Sequence, residues 1–206
     1  MRRLGILGGT FDPPHNAHMI LAQYAYEQLE LDKVLFVPAG VPPHKPTTRT
    51  SVEERIAMLR CVLDDHEYFE LSRVEIDRPG PHYTIDTVRI IQEQNPGTDL
   101  FFIMGGDVYR DLSNWDRPQE MFATCKLVVA VMRRPGFGNP DLRLDMHKDK
   151  IPGLEDNAMI LNSPLVEISS TELVERLLSG KTIQYMVPDK IFHFIQDYHL
   201  YGDVTS

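Results

Sequence analysis

Residues 8–18 read GGTFDPPHNAH, between the apolar run Leu4–Leu7 and the stretch MILAQYAYEQL. Adjacent glycines, Gly8 and Gly9, let a backbone come close to a ligand. A helix starting just after them would present free N–H groups and the positive end of its dipole. His15 and His18 are three residues apart, so on a helix that begins near His15 they share a face close to that end. The combination describes a phosphate site with imidazole added. Two other readings exist. One is a capping turn with incidental histidines. The other is half a zinc site, but no Cys or carboxylate set stands at the spacing needed to complete it, so no metal ligand is assigned. The dinucleotide fingerprint G-x-G-x-x-G is absent, because the nearby glycines fall at 5, 8 and 9. That argues against a dehydrogenase of the usual kind.

Such a loop needs a strand before it and a helix after it, and the chain repeats that arrangement. Candidate strands are Leu4–Leu7, Val34–Val37, Phe69–Ile76, Leu100–Met104, Leu127–Met132 and Met159–Leu161. Most are short and apolar without alternation, as suits strands covered on both faces. Helical patterns lie between them. One runs from about Ala17 to Leu29, and another carries Val52, Ile56, Leu59 and Leu63 with a Ser51/Glu54 capping box. A third carries Ile85, Val88 and Ile91, and a fourth runs from Pro118 to about Thr124 with proline in its first turn. The alternation predicts an α/β fold, a Rossmann-like doubly wound parallel sheet. Residues 1–165 would form this core. Residues 166–206 would form a small C-terminal helical subdomain within one structural unit. Residues 136–157, polar and rich in Gly and Pro, read as a long loop.

Ligands of such sheets bind beyond the carboxyl ends of the strands. There the sequence places PAGVPPHK, DRPGPHYTIDT, GGDVYRDLSNW, RRPG and SPLVEISST, as well as the first loop. Composition limits what could bind. With a formal net charge of −9 and no basic tract, duplex nucleic acid is excluded as a partner. An anion site would have to be built locally. No apolar run reaches the length of a membrane span, and the N-terminus lacks the apolar core of a signal peptide. Cys61 and Cys125 sit in apolar segments and form no CxxC pair, so they read as buried free thiols. Together these features predict a cytoplasmic protein without a membrane partner. The sequence leaves homo-oligomer formation open.

GGTFDPPHNAH resembles the (H/T)xGH signature of nucleotidyltransferases with a Rossmann-like core. With PPHKP, PHYTIDT, GGDVYRDLSNW and ISSTELVERLLSGKTIQYMVP, in order along nearly the whole chain, it is similar to the bacterial nicotinate-mononucleotide adenylyltransferases. The resemblance implies transfer of the adenylyl group of ATP to nicotinate mononucleotide, giving deamido-NAD and pyrophosphate. It implies Mg²⁺ carried by ATP. Gly8, Gly9, Thr10 and Phe11 would line the floor where the two nucleotides meet. His15 and His18 would donate to the triphosphate and to charge developing at the α-phosphorus, and Lys45 would meet phosphate oxygens. Gly105 and Asp107 match positions that hold the adenosine ribose. Ile168, Ser169, Ser170 and Thr171 match the ISST element that closes on the ATP phosphates. For the mononucleotide, Gly9, Thr10 and Lys45 would be joined by Trp115 stacking on the pyridine and by Tyr83 and Thr84 at its carboxylate. Arg134 could face its phosphate, or Arg133 could.

Two positions depart from the family pattern. Ala17 replaces the glycine of HxGH. Val174 stands where the ISSTxIR motif carries arginine, and Arg176, two residues on, points about 200° around a helix from it. A cation expected near the triphosphate is therefore missing unless Arg133, Arg134 or Lys45 supplies it. Related nucleotidyltransferases with another acceptor, and a nucleotide sensor without turnover, are the competing readings.

Overall fold

Each central strand is buried on both faces, and two separate apolar clusters cover them. The computed structural model describes residues 2–40, 48–124, 127–132, 147–161, 163–164 and 166–202. Strands β1 (Arg3–Gly9), β2 (Lys33–Pro38), β3 (Phe69–Leu71), β4 (Asp99–Gly105), β5 (Leu127–Met132) and β6 (Ala158–Leu161) form one sheet in the order β3-β2-β1-β4-β5-β6. All neighbours are parallel. On one face Leu4, Ile6, Leu35, Val37, Leu100 and Phe102 pack with Ile85, Val88 and Ile91 of α3 (Thr84–Gln94). On the other, Leu7, Val34, Phe36, Phe101 and Ile103 pack with Leu21, Ala22 and Ala25 of α1 (Asn16–Gln28) and with Leu59 and Leu63 of α2 (Val52–Leu63). Alternate residues of one strand thus feed opposite cores, which is why the strands read as continuous apolar runs. The fold is the expected Rossmann-like doubly wound α/β sheet. Its strand order reverses between β1 and β4, opening a crevice at their carboxyl ends.

The local signals explain most of the helices. Ser51 accepts the Glu54 N–H at 3.2 Å, and the Glu54 carboxylate accepts the Ser51 N–H at 2.7 Å. This capping box starts α2 where the sequence placed it. Pro118 opens α5 (Pro118–Thr124). Helices α7 (Ser170–Leu178) and α8 (Asp189–Asp197) share a third cluster, in which Leu173, Leu177, Ile183, Ile191 and Ile195 meet Met58 of α2.

Two expectations are corrected. The third strand stops at Leu71 rather than Ile76. Beyond Ser72 the chain turns, with Ile76 and Asp77 donating to the Arg73 carbonyl. Arg73 holds that turn by pairing with Asp77 at 3.0 Å and Glu53 at 3.2 Å. The second concerns residues 136–157. Residues 136–146 lie outside the described residues, but 147–157 are packed rather than looping free. His147, Ile151 and Leu154 are buried, and Leu154–Asn157 form the short helix α6. The His147 ring lies 2.7 Å from the Tyr109 carbonyl of α4 (Gly106–Asp111). Cys61 is a free thiol, half-buried rather than buried, and Cys125 lies outside the described residues.

Candidate active site

The first loop leaves β1 at Gly9 and enters α1 at Asn16. Phe11 sits at φ 53° and its ring is buried in the core. A Cβ on Gly9 would meet that ring at 3.0–3.2 Å, so Gly9 is the seat of Phe11. Gly8 is exposed, and a Cβ there would meet Phe102 only at ordinary contact, 3.5 Å. The Phe11 ring is a core plug, so what the loop can offer a ligand at this position is its backbone.

His15 and His18 stack with centroids 3.6 Å apart and planes 18° apart, and Phe11 meets His18 edge-on at 4.8 Å. The His15 N–H donates to Nδ1 of His18 at 3.2 Å. An accepting Nδ1 leaves the proton of a neutral imidazole on Nε2, so His18 is fixed as an Nε2–H donor. Stack and hydrogen bond together couple the two rings at the start of α1.

The C-terminal segment is hydrogen-bonded to Pro13 and Asn16, on either side of His15. Ser169 caps α7 by accepting the Glu172 N–H, and the Ser170 hydroxyl donates to the Pro13 carbonyl at 2.9 Å. Asn16 donates its backbone N–H to Met186 at 3.0 Å and its side-chain amide to the Tyr185 carbonyl at 2.9 Å. Of the three hydroxyls in the ISST stretch, one caps a helix, one latches the first loop, and that of exposed Thr171 lies at the surface. Ile168 packs against the third cluster. Val174 is buried, and Arg176 donates to the Thr182 carbonyl at 3.2 and 3.3 Å.

Beneath the loop lies a polar core the sequence reading missed. The buried Asp12 carboxylate accepts from the Arg49 N–H at 2.8 Å, the Thr50 hydroxyl at 2.8 Å and the Tyr201 hydroxyl at 2.6 Å. Burial, and then the Asp12 hydrogen bond, push the Tyr201 hydroxyl's pKa far up. Arg55 of α2 is fully buried and donates to the carbonyls of Thr10 and Ala39, each at 2.8 Å. Desolvation lowers its pKa, while Asp12 and Tyr201 act the other way. One signal was available. Arg55 falls at the i+3 position of the stripe Val52, Ile56, Leu59, where an arginine implies buried acceptors.

A second network supports the loop after β2. Thr87 donates to Glu75 at 2.7 Å and accepts from Arg78 at 2.9 Å, while Glu75 accepts the Gly40 N–H at 3.3 Å. Gly40 is sterically required, since a Cβ would fall 2.6 Å from His82 and 2.8 Å from the Glu75 carbonyl.

Tyr83 is the N-cap of α3, and Thr84 is its first residue. Trp115 follows the 3₁₀ turn Leu112–Asn114 and is half-buried, with its ring edge-to-face on Phe102 at 5.8 Å. Tyr83 and Trp115 pack against the same core cluster. Arg117 ties their segments together, donating to Asp86 at 3.0 Å and to Asp116 at 2.6 Å. Its guanidinium is paired with both carboxylates while remaining partly exposed. Gly105 ends β4 as the N-cap of α4, and residue 107 lies in that helix's first turn. Lys45, Arg133 and Arg134 lie outside the described residues. Among the described residues no cluster of three or more His, Cys, Asp or Glu could hold a metal, and no helix is long and apolar enough to cross a membrane.

The arrangement places the backbone of the first loop and the stacked His15–His18 pair at the start of α1, with Tyr83 and Trp115 packed on the core cluster of the other sheet face. Residues 6–176 match the cytidylyltransferase-like family model. The chain is 41% identical, over 98% of its length and 96% of the relative's, to a probable nicotinate-nucleotide adenylyltransferase of Synechococcus sp. (strain JA-3-3Ab). A protein of the same name from Halalkalibacterium halodurans is 38% identical, over 98% and 92%. The fold matches the nicotinic acid mononucleotide adenylyltransferase of Plasmodium falciparum, solved in a complex with NaAD, at a TM-score of 0.77, with 20% identity and 98% of each chain covered. With its site geometry and near-full-length likeness taken together, the chain belongs to the nicotinate-nucleotide adenylyltransferases within the cytidylyltransferase-like family.

Proposed function

We propose that this chain transfers the adenylyl group of ATP to nicotinate mononucleotide, giving deamido-NAD (nicotinate adenine dinucleotide) and pyrophosphate in NAD biosynthesis. The observation that carries the reading is the His15–His18 stack at the start of α1, directly after the paired glycines of the first loop. The mononucleotide's 5′-phosphate is already an anion, so its attack on the α-phosphorus requires no general base. Catalysis then consists of aligning two phosphates and stabilising charge on the transferring group. In this reading the backbone of Gly8, Gly9, Thr10 and Phe11 holds both phosphates. His15 and His18 face the triphosphate, with Lys45 as a further cation. Gly105 and Asp107 hold the ribose, and the ISST residues 168–171 flank the triphosphate. Mg²⁺ arrives with ATP as part of the substrate, held through phosphate oxygens. The half-free Trp115 ring stacks on the pyridine, and Arg134 contacts the acceptor phosphate. The cytoplasm, with its ATP, is the proposed place of action.

Acceptor choice follows from the pocket's donors. Arg117 is occupied by Asp86 and Asp116. Discrimination therefore rests on N–H and hydroxyl groups around Tyr83, Thr84 and Trp115. Such donors satisfy a carboxylate, whereas an amide NH₂ would meet them donor to donor. An unpaired buried polar group costs about 1–3 kcal/mol, so the nicotinate form is preferred roughly ten- to hundred-fold. The test is to compete the two mononucleotides at equal concentration with ATP and Mg²⁺ and measure the product ratio. Equal use, or preference for the amide, refutes the pocket assignment. No pyrophosphate release with either refutes the reaction.

A further inference from the structure

Arg55 is a buried charge that the proposed reaction leaves unexplained. Its side chain is 0% exposed, and its Nε has no partner among the described residues. Both terminal nitrogens go to backbone carbonyls on two different loops, Thr10 after β1 and Ala39 after β2. The loops are already joined by the Ala39 N–H donating to the Gly9 carbonyl at 2.8 Å. An apolar side chain could fill the same volume without the cost of burying a charge. What a guanidinium adds is a rigid fork, two donors at fixed spacing that lock two carbonyls in one plane.

The consequence appears on the other side of the peptide. A trans peptide group is planar, with its N–H opposite its C=O. Holding the Thr10 carbonyl toward α2 turns the Phe11 N–H away from α2. That N–H has no hydrogen-bond partner among the described residues. Phe11 is otherwise immobilised by its buried ring, and that ring touches His18. The next carboxylate in the chain, Asp12, is bound to Arg49, Thr50 and Tyr201, so its charge is engaged beneath the loop.

We propose that Arg55 is a positioning residue: by fixing the Thr10 carbonyl it aims the Phe11 N–H at the phosphate faced by His18, and by fixing the Ala39 carbonyl it sets the second loop in register with the first. The proposal rests on the adenylyl-transfer reading. A lysine at 55 would keep the charge but reach only one carbonyl. In Arg55→Lys, kcat falls roughly 10- to 100-fold per folded molecule, the scale of a misplaced contact, while the KM values stay within about threefold.

Amide NMR on protein labelled with ¹⁵N-phenylalanine separates aiming from general weakening. The Phe11 resonance is assigned by its loss in Phe11→Tyr. In the wild-type chain, inorganic pyrophosphate moves the Phe11 amide proton downfield. In Arg55→Lys, which circular dichroism shows to be folded at the assay temperature, the shift falls to less than half. Should that variant be unfolded, Tyr201→Phe serves instead. It loosens Asp12, the neighbour of the Phe11 peptide, and lowers the same shift. A wild-type Phe11 amide indifferent to pyrophosphate overturns the proposal, as does a folded Arg55→Lys with normal kcat. If the wild-type chain transfers no adenylyl group while the Phe11 shift remains Arg55-dependent, the reaction reading fails and the positioning role stands.

Discussion

His18 carries a specific expectation because its tautomer is set by its own helix. Removing the imidazole in His18→Ala leaves the α1 core residues Leu21, Ala22 and Ala25 untouched, so the fold survives. Turnover in steady-state assays falls roughly 10²–10³-fold, the scale for losing one preorganised donor. Near-normal turnover would remove His18 from the mechanism. Tyr201 carries a stability expectation. Its native pKa is raised, so its contribution is complete below the unfolded value of about 10 and declines as pH rises past it. Tyr201→Phe costs roughly 1.5–3 kcal/mol at neutral pH, the range for a hydrogen bond to a charged group. In urea unfolding the gap between the two proteins narrows above about pH 10, and a constant gap would contradict the Asp12 hydrogen bond. That His15 and His18 would meet at the start of a helix was legible from their spacing of three after the glycine turn. Asp12 and Tyr201 were not, because they stand 189 positions apart and nothing local links them.

At the scale of elements, the sequence located helices by capping and period, and strands by length. It failed where a side-chain pair overrode propensity. The run after Leu71 has strand-like residues, yet Arg73 closes a turn on Asp77 and Glu53. It failed also at residues 147–157, where three anchors, His147, Ile151 and Leu154, are too few to show a period. The ISST element was found, but its use was mixed: the Ser170 hydroxyl is spent on the Pro13 carbonyl. In Ser170→Ala that latch is lost, at a cost of about 1 kcal/mol. The KM for ATP rises several-fold with a smaller change in kcat, because α7 still caps through Ser169. An unchanged KM would show that the latch does not shape the triphosphate site.

For the whole molecule, the acidic balance and the parallel sheet were legible in the sequence, but the reversal of strand order between β1 and β4 was not, because strand order depends on pairings far apart in the chain. The attachment of the C-terminal segment to the first loop was only half visible. Hydrogen bonds between residues 12–16 and Ser170, Tyr185, Met186 and Tyr201 reach across 157 to 189 positions of sequence. Their span has a consequence for biosynthesis. A ribosome adds about 5–20 residues per second, so roughly 10–40 s separate the emergence of Asp12 from that of its Tyr201 partner. Throughout that interval the nascent chain carries its histidines without the clasp that orders them. On the adenylyl-transfer reading, the phosphate site is complete only once the segment that carries Tyr201 has emerged and docked on the first loop.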